Sequence, residues 1–288
     1  MENVISDKSI LNNIYGLSCV ENYLLYAMTA EDYEYRPLYH GSYLSFCDVA
    51  VEFVENNALY ASFYKIPRLH DIATENGLIA VRYLENADLL ENININGYNI
   101  IMIKPEYIKS KYKTELWRDD HYMLISPKDS GNYHYLNDNP RDNGIISLEE
   151  LKGIYAGKSI NITIKNKISE ELKNTFLNVF ISSILSVSSA PQPFNFDLND
   201  VVKARDILGV IRVLRKRIYE YCGMYISMDF YKDYLAELDR FYSLIEYMRI
   251  RNSADFDKIN QIFEGAQKKD IGFTAEIKNK MEERQHGL

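Results

Sequence analysis

A cysteine that opens a helix is a poised nucleophile, and residues 17–28 of this chain put one there. Leu24, Leu25 and Met28 recur at helical spacing after Ser18 and Glu21, and Ser-x-x-Glu is the capping-box pattern that starts a helix. Cys19 then takes the first helical position, where unpaired backbone amides and the positive end of the helix dipole favour thiolate. The commoner fate of a lone cysteine is burial as a small hydrophobe. What lifts Cys19 above that is its company.

His121 opens an apolar run, HYMLISP, after the polar Arg118-Asp119-Asp120. The segment PKDSGN is a dense turn signal and YHYLND runs back from it, so the two runs read as a hairpin. With the loop centred between Asp129 and Ser130, His121 lies opposite Asp138, close enough for a carboxylate to orient an imidazole. A helix-start cysteine, then a strand histidine and a strand-end acid, is the papain-type order. In that arrangement a polar side chain ahead of the nucleophile helix assists the cysteine amide in holding an oxyanion. Asn13, six residues before Cys19, is the candidate, with Asn12 as its rival.

The elements that must position these residues follow from periodicity. Ile100–Ile103 reads as a buried strand ended by Lys104-Pro105. Asn139 to Gly144 reads as a turn, Ser147-Leu148-Glu149-Glu150 as a second capping box, and Ile160, Ile162 and Ile164 alternate as a strand. From about residue 168 the pattern is helical, with helices expected over Ser169–Ser186, Leu198–Tyr221, Asp229–Arg249, Phe256–Gly265 and Thr274–Arg284. The break SSAPQPFNF separates the first two, because its prolines cannot sit inside a helix. The expected fold class is α+β: a papain-type domain over 1–165, then an all-helical domain over 166–288.

Composition narrows the function classes. Lys and Arg total 33 against 41 Asp and Glu, a net charge of −8, so the average field repels nucleic acid and anionic membranes and attracts cations. Three cysteines with no CxxC pair give neither a zinc signature nor a disulfide framework, which leads us to expect a reducing cytoplasm and no metal. The start MENVISDKSILNNIYG lacks the basic and apolar regions of an export signal, and no apolar stretch reaches a membrane span's length. No GxGxxG or GxxxxGK[ST] occurs, which disfavours nucleotide-dependent ligation. Cys47, Cys222, His40, His70 and His134 show no partner spacing and read as structural.

Four segments taken together, GLSCVENYLLYAM, GYNIIMIKPEYIKS, DDHYMLISPKDSGNYHYLNDNP and ISLEELKGIYAG, resemble the butirosin biosynthesis protein H family. That family is itself similar to the cysteine-peptidase-like domains of peptide-exporting transporters. The match runs over residues 14–160; Leu17-Ser18 precede the cysteine where many relatives carry His or Asp. The resemblance implies a papain-like acyltransferase that moves an aminoacyl group from the phosphopantetheine thioester of an acyl carrier protein, through an acyl-Cys19, to an amine of an aminoglycoside antibiotic. Cys19, His121 and Asp138 would be its catalytic residues, with no tightly bound cofactor beyond the phosphopantetheine on the carrier. The basic cluster Arg212, Arg215, Lys216 and Arg217 is then a candidate carrier-docking face, or simply a solvated helix face. A cysteine peptidase or amidase would use the same triad with water as acceptor, and a non-catalytic binding module is the third class. A homodimer is the default assembly.

Overall fold

The structure, a computed structural model, describes residues 7–58, 60, 63, 65–85, 89, 93, 97–113, 121–129, 131–186 and 198–285. The chain divides into two units, Met1–Tyr35 with Arg68–Ile168, and Arg36–Pro67 with Ser169–Leu288. The last division falls at 168/169, against the expected 165/166. Residues 36–67, expected in the first domain, group instead with the helices. Their helix α2 (Phe46–Val54) buries Phe46, Val49, Ala50 and Phe53, an i, i+3, i+4, i+7 stripe that must face apolar partners. One of them is Phe263, whose ring meets that of Phe46 edge-on at 5.9 Å.

The first unit is α+β. Among the described residues, its six strands are β1 (Ile79–Glu85), β2 (Tyr98–Ile103), β3 (His121–Asp129), β4 (Asn132–Asp138), β5 (Arg141–Ser147) and β6 (Tyr155–Ile164). They form one sheet in the order β1-β6-β2-β3-β4-β5, every neighbour antiparallel. β2 is buried at all six positions, which is why Ile100–Ile103 is a continuous apolar run rather than an alternation. On one face Ile101, Ile103, Met123, Ile125 and Tyr135 pack with Ile108 of α4 (Pro105–Tyr112) and Leu151 of α5 (Leu148–Ile154). Helix α1 (Cys19–Ala30) packs against β3 and its neighbours.

The expected turn over Asn139–Gly144 is shorter than the sequence suggests. Asp138 pairs directly with Arg141, so the turn is confined to Asn139-Pro140 and the polar residues after it form β5. They tolerate a strand because Asp142, its second residue, accepts hydrogen bonds from the hydroxyls of Tyr112 and Tyr135.

The second unit contains α2, α6 (Glu170–Ser186), α7 (Val201–Cys222), α8 (Lys232–Ile250) and α9 (Phe256–Gln285). The break at 188–196 lies outside the described residues. The two helices expected over 256–265 and 274–284 are one helix: Gly265 and Gly272, which cost helix propensity, are carried through by buried neighbours such as Ala266, Gln267 and Asp270. Among the described residues no helix is long and apolar enough to cross a membrane.

Candidate active site

The start of α1 follows its capping signal. Ser18 Oγ accepts from the Glu21 amide at 3.2 Å, which makes Cys19 the first helical residue. The Glu21 carboxylate departs from the capping box. Buried in the protein, it accepts from the amides of Leu17 at 2.7 Å and Leu69 at 3.0 Å, tying the segment before Cys19 to α3 (Leu69–Glu75).

Cys19 Sγ faces the backbone amides of Tyr122, Val20 and Cys19 itself, all of which favour thiolate. Burial opposes them first and the Asp138 carboxylate second, and together they push the thiol up to about 12. The expected helix-start thiolate is therefore corrected to a neutral thiol, because desolvation and a nearby negative charge outweigh the amides and the dipole.

His121 pairs with Ile103 at the start of β3 and is 4% exposed. Its Nε2 lies 2.7 Å from Asn137 Oδ1. The Asn137 side-chain amide donates to the Pro140 carbonyl at 2.8 Å, which fixes Oδ1 as the atom facing the ring. An oxygen there needs a donor, so Nε2 carries the proton and Nδ1 is the basic nitrogen. Burial holds His121 below the usual histidine range, against the smaller upward pull of Asp138 and Asn137.

Asp138 is near, but it is not the direct partner. Its Oδ1 stands 3.7 Å from Nε2, beyond hydrogen-bond distance. The assumed hairpin register is off by one: Leu124 pairs with Leu136 and Ile125 with Tyr135. A one-residue slip exchanges sheet faces, and so brings Asn137 to the face of His121. Asp138 is held by α1: Asn22 Nδ2 donates to its Oδ2 at 2.9 Å. The Tyr23 hydroxyl accepts from the Asp138 amide at 3.2 Å and lies 2.8 Å from the Tyr122 carbonyl. Asn22 Oδ1 in turn accepts from the Gly16 amide at 2.9 Å. Asn22 and Tyr23 sit three and four positions after Cys19, the helical spacing that places side chains on one face. That spacing was the available signal for both.

The other candidates fall elsewhere. Asn13 is exposed after a 3-10 turn, Lys8–Asn12, and its described contacts are made by its backbone, including a bond from the Tyr35 hydroxyl at 2.9 Å. Asn12 accepts from the Arg141 guanidinium. The expected docking cluster is corrected: Arg215 and Arg217 are 1% and 0% exposed and cannot meet a partner. Arg215 binds Asp270 at 2.5 and 2.8 Å and the Leu44 carbonyl at 2.8 Å, while Lys216 and Arg212 both face Asp239, at 2.8 and 3.5 Å. His40 stacks on Phe176, and Cys222 is buried. Among the described residues, no group of three or more His, Cys, Asp or Glu side chains is placed to hold a metal ion.

Compared with known proteins, the chain matches no family model, and no curated protein matches its sequence.

Proposed function

We propose that the first unit is a papain-like catalytic domain that transfers an acyl group from a thioester to an amine through an acyl-Cys19 intermediate. The observation that carries this is the ring of His121, pinned through Nε2 by Asn137 and backed by Asp138, on the residue adjacent to the Tyr122 amide that meets Cys19 Sγ. As Sγ attacks the thioester carbonyl carbon, Nδ1 takes the thiol proton. The carbon–sulfur bond to the donor breaks, and the departing thiolate takes that proton from the imidazolium. The acceptor nitrogen then attacks acyl-Cys19, giving its proton to Nδ1 while Sγ leaves and recovers it. The Asp138 carboxylate stabilises each transient imidazolium, and the amides around Sγ are the donors a developing oxyanion meets.

A thioester donor fits this site better than a peptide. A thiolate leaves without prior protonation, whereas an amide nitrogen must be protonated as it leaves, so a thioester makes the smaller demand on His121 as an acid. The net charge of −8 suits a cationic acceptor, and the family resemblance of residues 14–160 supports an acyl carrier protein as donor and an aminoglycoside as acceptor. Incubation with an acyl pantetheine thioester, followed by intact mass, tests the proposal. Acyl-Cys19 that persists in water and is discharged by an added aminoglycoside is the expected result; discharge at the same rate without amine would make the chain a hydrolase.

A further inference from the structure

Cys19 and Tyr23 lie one helical turn apart on α1, and both reach the backbone of the same residue of β3. The Tyr122 amide meets Cys19 Sγ, and the Tyr122 carbonyl accepts from the Tyr23 hydroxyl at 2.8 Å.

In a regular sheet both groups would belong to β4. The pairing of Ile125 with Tyr135 and Leu124 with Leu136, carried two residues further, sets Tyr122 opposite Asp138. Residues of a hydrogen-bonded antiparallel pair exchange both N–H···O=C bonds. Here the paired register stops at Leu124, and the Tyr23 hydroxyl stands in the next place, accepting from the Asp138 amide at 3.2 Å and donating to the Tyr122 carbonyl. Asp138 Oδ1, at 3.2 Å, is the more distant acceptor for the same proton. Tyr23 is fully buried, and burial and the Asp138 charge push its hydroxyl well above the ordinary tyrosine range, so it stays a donor. The hydroxyl keeps the strands from closing at this pair. The Tyr122 N–H, which points to the same side of the strand as its own C=O, is then directed to the sulfur.

We propose that Tyr23 is a positioning residue for the acyl transfer described above, wedging β3 from β4 so that the Tyr122 N–H serves as an oxyanion donor. The oxyanion role rests on the acyl-transfer reading; the wedge does not. The expected side-chain donor, Asn13, is exposed and makes its described contacts through its backbone, so Tyr122 takes its place beside the Cys19 amide. As Sγ bonds to the thioester carbon and the thiol proton passes to His121 Nδ1, the C=O electron pair moves onto oxygen. The Tyr122 and Cys19 amides hold that charge until the pair returns and the donor thiolate leaves.

Tyr23→Phe tests this on the full chain, because it removes the hydroxyl and keeps the buried ring. The strands should close and draw the Tyr122 N–H away from Sγ. Alkylation of Cys19 by iodoacetamide at pH 9 should slow about threefold, since the thiolate loses a donor. Acylation by an acyl pantetheine thioester should lose about 10²-fold in kcat at unchanged KM. Unchanged alkylation overturns the wedge, and unchanged acylation overturns the oxyanion role. Hydrogen exchange decides the first point with Tyr23 in place. Carbonyl-13C histidine combined with 15N-tyrosine marks the two His-Tyr junctions of the sequence, at Tyr122 and Tyr135. Cys19→Ala should speed exchange at Tyr122 about tenfold and leave Tyr135, a paired residue of the β3–β4 ladder, as it was. An unmoved Tyr122 puts its N–H in the ladder and overturns the proposal. Slowed alkylation and faster exchange in a chain that never loads Cys19 support the wedge and contradict only acyl transfer.

Discussion

Asn137 Oδ1 holds His121 Nε2 at 2.7 Å, and the arrangement is locked from behind by the Pro140 carbonyl. The side chain next door, Asp138, contributes its charge from 3.7 Å rather than a hydrogen bond. Orientation and charge compensation, which one carboxylate supplies in a Ser-His-Asp triad, are here divided between two consecutive residues.

The division predicts two different phenotypes. Asn137→Ala frees the ring and its tautomer, and should slow acylation of Cys19 about 10²-fold without moving the titration of the thiol. Stopped-flow acylation together with alkylation against pH checks both halves.

Asp138→Asn removes a negative charge that raises the Cys19 thiol. The sign is fixed: thiolate becomes easier to form, so the thiol titrates below its present value of about 12 and alkylation at pH 9 accelerates. Acylation should nevertheless slow about tenfold, because the transient imidazolium loses its counter-charge. Faster alkylation with slower acylation is the signature; a change of both in the same direction contradicts it.

Gly16 is where the chain approaches Asn22 too closely for a side chain. A Cβ there would stand 2.4 Å from Asn22 Oδ1 and 2.7 Å from the Asn22 amide. Gly16→Ala should cost about 1–3 kcal/mol of stability and displace the residue that holds Asp138. Denaturant unfolding and the acylation rate should both fall, and the rate alone should fall in Asn22→Ala if the cap of α1 is retained.

Burial holds His40, His70 and His121 below the ordinary histidine value. Between the folded and unfolded values the unfolded chain binds more protons, so the stability these groups contribute is complete above about pH 6.5 and is lost as pH falls through their folded values. Thermal unfolding should therefore move to lower temperature from pH 7.5 to pH 5.5. An unchanged or rising midpoint contradicts the burial of these rings.

Local signals made much of the site readable in the sequence. Ser18 and the apolar spacing of α1 placed Cys19 at a helix start, and the alternating runs placed His121 on a strand. The choice between Asn137 and Asp138 was not readable, because it depends on one residue of register. The β3–β4 turn includes Gly131 at φ 97°, and the pairing shifts between Pro127 and Asp129, neither of which hydrophobic alternation records. Arg215 shows the same limit at longer range. Its neighbours Arg212 and Lys216 make a basic face on paper, but the Asp270 that buries Arg215 comes from another helix. Residues 36–67 likewise carry a clear apolar stripe without saying which unit covers it.

The most direct measurement of the central claim is the rate of acyl-Cys19 formation from an acyl pantetheine thioester, followed by intact mass from pH 5 to 9 in wild type, Cys19→Ala and His121→Ala. A neutral thiol served by a depressed imidazole predicts one inflection, at or below about pH 6.5, then a plateau to pH 9. The rise should vanish in His121→Ala, and all labelling in Cys19→Ala. Acylation that climbs steadily to pH 9 regardless of His121, or labelling that settles on Cys47 or Cys222, would contradict a Cys19–His121 catalytic pair.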